Sequence, residues 1–278
     1  MKVDIQEMNE QEIIEEIQSL CEKREFSKLK NLLSEMNPAD IASVLDEVSA
    51  NQRLLMFRLL AKEEAAETFV ELDSDNQQAL IHAFSDSELK EVLDELYLDD
   101  AVDVVEEMPA TVVKRILKNA DSEMRESINA LLKYPEDSAG SIMTPEFVDL
   151  KKDMTVEDAF KRIRRTGIDK ETIYTLYIID SARRLLGTLA LRKMILADNS
   201  AVLSDMMDAN PVFVHTTDDQ EKVADLVRRY DLLAIPVVDT EERLVGIITA
   251  DDVMDVIEQE NTEDFEKMAA LTPSEEEY

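Results

Sequence analysis

The second half of the chain says the same thing twice. "YTLYIIDSARRLLGTLALRKMI" (174–195) and "LLAIPVVDTEERLVGIITADDVM" (232–254) share an order of features: an apolar run, an Asp, a charged turn, Arg-Leu-x-Gly, a second apolar run and a helical stretch. Two short apolar runs around a polar turn read as a hairpin. Ahead of each copy stands a Met-containing segment, "SIMTPEFVDLKKDMTVEDAFKRIRR" and "DMMDANPVFVHTTDDQEKVADLVRR", which reads as a strand followed by an amphipathic helix. Each copy is therefore strand, helix, strand, turn, strand, helix: a duplicated α/β module.

The first half cannot be more of the same. All four glycines (Gly140, Gly167, Gly187, Gly246) fall at or after position 140, so the turns that glycine permits are confined to the second half. "NPADIASVLDEVSANQRLLMFRLL" places Asn37 as N-cap, Pro38 at the first helical position and Asp40 at the third. Ile41, Val44, Leu45 and Val48 then recur at helical spacing. "YLDDAVDVVEEMPATVVKRILKNA" repeats this, with Val104, Val105 and Met108 aligned on Val44, Leu45 and Val48. Short stacked helices joined by polar turns predict a superhelical repeat. The expected fold class is thus multi-domain α plus α/β.

Charge narrows the function. With 63 acidic against 30 basic residues the net charge is −33. Such a field attracts cations and repels nucleic acid and anionic headgroups, whose phosphates need clustered Lys and Arg. Cys21 is the single cysteine, which rules out an intrachain disulfide or thiolate zinc site and fits a reducing setting. No stretch of about 18 apolar residues occurs, so a soluble chain is expected.

The duplicated modules resemble a tandem of cystathionine-β-synthase-type (CBS) domains. "YPEDSAGSIMT", "YDLLAIPVVD", "RLVGIITADDVMDVIE" and "TEDFEKMAAL", with "NPADIASVLDE" and "LDDAVDVVEEM" upstream, are similar to the cytosolic portion of the MgtE family of magnesium transporters and channels. The resemblance implies a helical superhelix domain over 1–134, CBS domains over 135–200 and 201–260, and the start of a connecting, or plug, helix over 261–278. It implies a homodimer through the CBS domains and, as partner, the family's transmembrane domain. Its location would be the cytoplasmic face of the cell membrane. No catalytic residue is expected: no nucleophile, base and oxyanion-hole arrangement is visible.

The stretch "TADDVMDVIEQENTED" (249–264) tests these implications. Thr249 and Asp252 suit a capping box, and Asp251 the positive end of a helix dipole. Val253, Val256 and Ile257 form a core stripe, leaving Asp255 and Glu258 wet. Capping needs one carboxylate, yet the acids continue through Glu260, Glu263 and Asp264 without a Lys or Arg. Like charges a turn apart cost about 0.2–0.5 kcal/mol per pair. Mg2+ would reverse that sign, and because it keeps several waters it needs only one or two carboxylates from each surface. By the resemblance, metal positions between the helical and CBS domains fall on Glu67, Asp99, Asp103, Ser141, Asp231, Asp252 and Asp255. Those facing the plug or the other subunit fall on Glu260, Glu263 and Asp264. Ser141 stands at a family glycine and would serve through its carbonyl.

CBS domains that bind adenine nucleotides carry Gly-x-x-Ser/Thr-x-x-Asp, whose Asp can accept from ribose hydroxyls. The second copy keeps this as Gly246, Thr249 and Asp252; the first has Ala190 and Lys193 after Gly187. Alanine has no hydroxyl and lysine cannot accept, which counts against a nucleotide there, although Arg192 or Lys193 could meet a phosphate. Two alternatives to magnesium sensing therefore stand: an adenine-nucleotide sensor (ATP or a relative of it), and a protein-interaction scaffold whose acids only confer solubility. His82 and His215 lie in different halves and are expected in ordinary polar or partly buried roles, Cys21 as a packed or surface thiol, and Met206 and Met207 as filling cores and module interfaces.

Overall fold

The structure is a computed structural model that describes residues 10–168 and 170–268. It divides into two compact units, Met1–Ile128 and Asn129–Tyr278.

The first unit is helical among its described residues. Its elements are α1 (Glu10–Glu22), α2 (Phe26–Leu33), α3 (Pro38–Glu47), α4 (Ala50–Phe57), α5 (Lys62–Val70), α6 (Ser74–Ala83), α7 (Asp86–Leu93), α8 (Leu98–Glu107), α9 (Ala110–Asn119) and α10 (Ser122–Leu131). The helices are short, and they stack in sequence order: α1 on α3, α3 on α5, α5 on α7 and α7 on α9, with α4 on α6. That is the quasi-one-dimensional packing of a helical repeat. The two repeat stripes read from the sequence point inward, since Ile41, Val44, Leu45, Val48, Val104, Val105 and Met108 are all buried. Phe57 sits between Phe69 and Phe84 at ring-centroid distances of 6.2 and 5.2 Å.

Helices of 8 to 13 residues leave a large share of their last-turn carbonyls unpaired. The repeat meets this with a side chain reaching back eight residues. Arg53 Nε donates to the Leu45 carbonyl at 2.7 Å, Gln77 Nε2 to Phe69 at 3.1 Å and Arg125 Nε to Leu117 at 2.6 Å. Each donor lies four residues after its helix's N-cap position, at Ser49, Asp73 and Asp121. Arg53 is itself 6% exposed and also bonds the Asp46 and Val48 carbonyls. Arg53→Ala is therefore expected to destabilise the first unit by about 2–3 kcal/mol, because buried carbonyls lose charged donors. Urea denaturation followed by far-UV circular dichroism measures it.

The second unit holds β1 (Asp149–Lys151), α11 (Val156–Thr166), β2 (Thr175–Ile179), β3 (Leu185–Ala190), α12 (Leu191–Ile195), β4 (Val214–His215), α13 (Gln220–Tyr230), β5 (Ala234–Val238), β6 (Leu244–Thr249) and α14 (Ala250–Met268). Among the described residues two three-stranded sheets form, ordered β1-β2-β3 and β4-β5-β6, each with a parallel first pair and an antiparallel hairpin. The duplication is reproduced down to single atoms. In one hairpin turn Asp180 Oδ1 accepts from the Ala182 and Arg184 amides at 2.8 and 2.9 Å. In the other, Asp239 Oδ1 accepts from Glu241 and Arg243 at the same distances. Arg183 and Glu242 take the matching left-handed conformation, with φ of 65° and 64°. The repeated Asp of the sequence is thus a turn residue in both copies.

The copies also exchange bonds about a pseudo-twofold axis. Leu185 N donates to the Glu242 carbonyl at 3.1 Å, and Leu244 N to Arg183 at 2.9 Å. Phe147, Tyr177, Ile179, Ala234, Leu244 and Ile247 form the apolar seam between the sheets. The first part of each Met-containing segment, ahead of β1 or β4, pairs with the opposite module's hairpin, while β1 and β4 join their own. Thr144 exchanges two backbone bonds with Ile247, and Asp208 two with Thr188. These crossings force the glycines. A Cβ on Gly246 would lie 2.6 Å from Met143 Sδ, and one on Gly187 only 2.3 Å from the Asp208 carbonyl oxygen.

The copies differ at their ends. α12 has five residues, whereas α14 has 19 and runs through position 261 without interruption.

Candidate functional site

The capping reading of Thr249 and Asp252 holds at atomic level. Asp252 Oδ2 accepts from Thr249 N at 3.1 Å and from Thr249 Oγ1 at 2.6 Å, joining the end of β6 to the first turn of α14. Burial pushes the Asp252 carboxyl above its ordinary range; the Thr249 bonds pull it back and the Asp251 charge adds to the rise. An acid whose folded pKa is raised binds more protons folded than unfolded, so it subtracts stability as pH rises from the ordinary carboxylate range through the raised value. Asp252→Asn keeps an acceptor for Thr249 and removes the buried charge. In divalent-free buffer at pH 7 it is expected to match or exceed the parent in thermal stability, an advantage that vanishes at acid pH.

The rest of the stretch divides by burial. Val253 and Val256 are buried and Asp255 and Glu258 exposed, as the stripe requires. Glu260 is half-buried and accepts from Gln220 Nε2 at 2.8 Å. Glu263 and Asp264 fall on the α14 backbone, but their side chains lie outside the described residues.

The remaining metal candidates have local geometry of their own. Asp231 caps α13 in the left-handed conformation, φ 51°, with the Leu232 amide closing on the Val227 carbonyl at 3.1 Å. Aspartate tolerates that region better than most residues, so the cap alone accounts for its type. Ser141 Oγ donates to the Ser138 carbonyl at 2.8 Å, which engages the hydroxyl internally. In the first unit Glu67 is exposed on α5, while Asp99 and Asp103 lie one turn apart on α8, the former buried and the latter exposed. Thr249 and Asp252 are thus joined directly; Glu67, Asp99 and Asp103 belong to one unit and the other candidates to the second. Among the described residues no three His, Cys, Asp or Glu side chains form a preformed metal cluster.

The nucleotide candidates are unequal. Gly246 and Thr249 are buried, so at the second copy the motif is woven into the strand-to-helix turn. At the first copy Arg192 is exposed, and the Lys193 ammonium donates to the Met206 carbonyl. The basic residue standing where Asp252 stands in the other copy is therefore used to hold the crossing Met segment. Sequence reading missed this bond, as it missed Gln220, because the partners are loops whose position depends on the crossing. His215 lies against Phe213 and 3.8 Å from Asp218, and His82 is exposed. The Cys21 thiol is pushed up by burial.

The helical unit and the paired modules match known families. Residues 36–137 match the MgtE intracellular N domain, and 139–199 and 203–259 match the CBS domain. The chain is 38% identical over 266 residues to the magnesium transporter MgtE of Thermus thermophilus and 30% identical to that of Bacillus subtilis. The alignments cover 94% and 96% of this chain but 59% of each relative. Among solved structures, the cytosolic domain of the Mg2+ channel MgtE in complex with ATP matches with a TM-score of 0.81 at 38% identity, covering 86% of this chain and 98% of that one. The soluble part of a magnesium transporter matches with a TM-score of 0.82 at 29% identity, covering 91% and 99%. No helix among the described residues is long and apolar enough to cross a membrane. The chain belongs to the MgtE family, as an MgtE intracellular N domain followed by a tandem pair of CBS domains.

Proposed function

We propose that this chain is the Mg2+-sensing regulatory region of a magnesium transport protein, acting without catalysis of its own. The observation that carries the reading is the match of nearly the whole chain, domain for domain, to magnesium transporters, by a sequence whose net charge is −33. At high Mg2+, ions bridge Glu67, Asp99 and Asp103 of the helical domain to Ser141, Asp231, Asp252 and Asp255 of the CBS pair. They also screen Glu260, Glu263 and Asp264 against a second subunit and the connecting helix. At low Mg2+ unscreened repulsion favours the open arrangement. Regulation then follows from the ion's differential affinity for the two states. Hard carboxylate and carbonyl oxygens fit Mg2+, and the donor set needs no soft ligand. The domain boundaries proposed are 1–134, 135–200 and 201–260, with the connecting helix beginning at 261. The partner proposed beyond it is a transmembrane domain at the cytoplasmic face of the membrane.

A homodimer through the CBS pair is part of this reading. Its support is a set of exposed apolar side chains at equivalent places in the two modules: Tyr174 and Leu233 are 67% and 62% exposed, Ile195 and Met254 59% and 64%. A second copy would cover such a face. Isothermal titration with MgCl2 tests the sensing: saturable binding of more than one ion per chain supports it, and heats no larger than those of monovalent salt contradict it.

The relative solved with ATP favours a second reading, an adenine nucleotide held by the CBS pair and tuning the Mg2+ response. Gly246, Thr249 and Asp252 are proposed to hold it, with Arg192 available to a phosphate. Calorimetry with ATP, ADP and AMP is expected to show binding that Asp252→Ala weakens at least about tenfold, the loss expected when a charged acceptor is removed.

A further inference from the structure

One buried side chain ties together two segments far apart in the chain. Gln220 is 6% exposed at the start of α13. Its amide nitrogen donates to Glu260 Oε1 at 2.8 Å and to Asp137 Oδ1 at 3.4 Å, partners 40 and 83 residues away. Asp137 belongs to the segment that enters the CBS pair, and Glu260 to α14, the last of the described helices, which packs on α13. The entering segment is itself threaded into the second module. The Gln220 amide donates to the Asp137 carbonyl at 2.9 Å, Ala139 N to Asp218 at 2.7 Å and Gly140 N to Thr216 at 2.9 Å. Asp137 takes the left-handed conformation, φ 57°, to make that entry.

We infer that Gln220 is a positioning residue that couples the entry segment 137–140 to the direction of α14. The chemistry favours glutamine over a charged residue. Its amide donates two protons to two carboxylates that would otherwise repel each other. Lysine would need water for its third proton, and glutamate would add a third like charge. A buried amide shared by two acceptors acts as a hinge pin: moving either segment breaks one bond and frees the other. The functional weight of this tie rests on the Mg2+-sensing reading, in which helical-domain movement has to reach the connecting helix. The tie itself does not.

Hydrogen exchange of the whole chain in EDTA tests it without any divalent ion. Glu260→Ala is expected to speed exchange of the Ala139 and Gly140 amides about tenfold, the factor for one hydrogen bond to a charged acceptor. Glu260→Gln keeps an acceptor and should stay within about threefold of the parent, since a neutral hydrogen bond is weaker but present. Gln220→Leu should match Glu260→Ala at 139–140 and also loosen the amides around 260, and the double variant should add nothing further. Unchanged exchange at 139–140 in Glu260→Ala, or effects that simply add, would overturn the coupling. Because Glu260 is half-exposed, its variants do not threaten folding, so a failure of Gln220→Leu to fold leaves the test intact. Adding Mg2+ in a separate arm tests sensing alone: loss of that response with the EDTA coupling preserved would sink the sensing reading and not the tie.

Discussion

Asp99, Asp103, Asp252 and Asp255 replaced together by alanine are expected to abolish the Mg2+-dependent contraction of the chain while leaving its salt response almost unchanged. The replacement moves the net charge only from −33 to −29, four charges of 63 carboxylates. General screening depends on the total field and on ionic strength, so it barely alters. Specific bridging depends on which oxygens face the ion, so it disappears. A control variant with Glu63, Glu71, Glu123 and Glu126 replaced, all exposed, carries the same −29 and should contract like the parent. Small-angle scattering on the three proteins reads the difference directly. Equal contraction in all three would mean that the four aspartates hold no ion. Asp252 needs its own check, because its carboxylate also caps α14; the Asp252→Asn variant, which keeps an acceptor for Thr249, separates the cap from the metal.

Gly187→Ala is expected to cost more than Gly246→Ala, although both sit in the same repeated motif. At Gly187 the new Cβ would meet the Asp208 carbonyl oxygen at 2.3 Å, and that backbone is fixed by the pair of bonds it shares with Thr188. Relief requires parting the crossing segment from β3. At Gly246 the first clash is with Met143 Sδ, at 2.6 Å, on a side chain with three rotatable bonds, although the Thr144 carbonyl stands behind it at 3.0 Å. Losses of about 4 and about 2 kcal/mol follow, combining overpacking with the ladder bonds broken in the first case. Denaturant unfolding read from the second unit checks the order; equal losses would mean the crossing segments yield freely. The outcome bears on function, since it assigns these glycines to the crossing of the Met segments, whatever ligand the turn also holds.

Much of the fold was legible because its causes are local. The hairpins showed in the repeated Asp and Arg-Leu-x-Gly, and the structure gives each Asp the same two amides to accept. The first unit's inward stripes were legible from helical spacing, and Asn37, Pro38 and Asp40 stand at the N-cap, first and third positions as read. Asn37, however, makes no side-chain cap bond and instead reaches Asp40 at 3.5 Å. The helix-capping donors at Arg53, Gln77 and Arg125 share one mark in the sequence, a place four residues after an N-cap Ser or Asp, which a search for hydrophobic periodicity passes over.

What stayed hidden was non-local. Nothing in "SIMTPEF" or "DMMDAN" announces that each segment pairs with the opposite module's hairpin. The order of the copies along the chain is the same whether or not the segments cross. The Lys193 tie to Met206 and the Gln220 tie between Asp137 and Glu260 exist only once that crossing has been made. The metal site is proposed in kind from carboxylates in excess of any capping need. Its individual members came from resemblance, because exposed acids such as Glu67 and Asp103 carry no local mark that separates them from their neighbours.

Magnesium, rather than ionic strength, is expected to close this assembly. The direct measurement is the radius of gyration of the chain by small-angle scattering. It is followed through a MgCl2 titration up to about 20 mM and through a KCl series of matched ionic strength, where screening lengths are equal. A saturable contraction in Mg2+ that KCl does not reproduce is expected. Superimposable curves in the two salts, or no contraction in either, would contradict it.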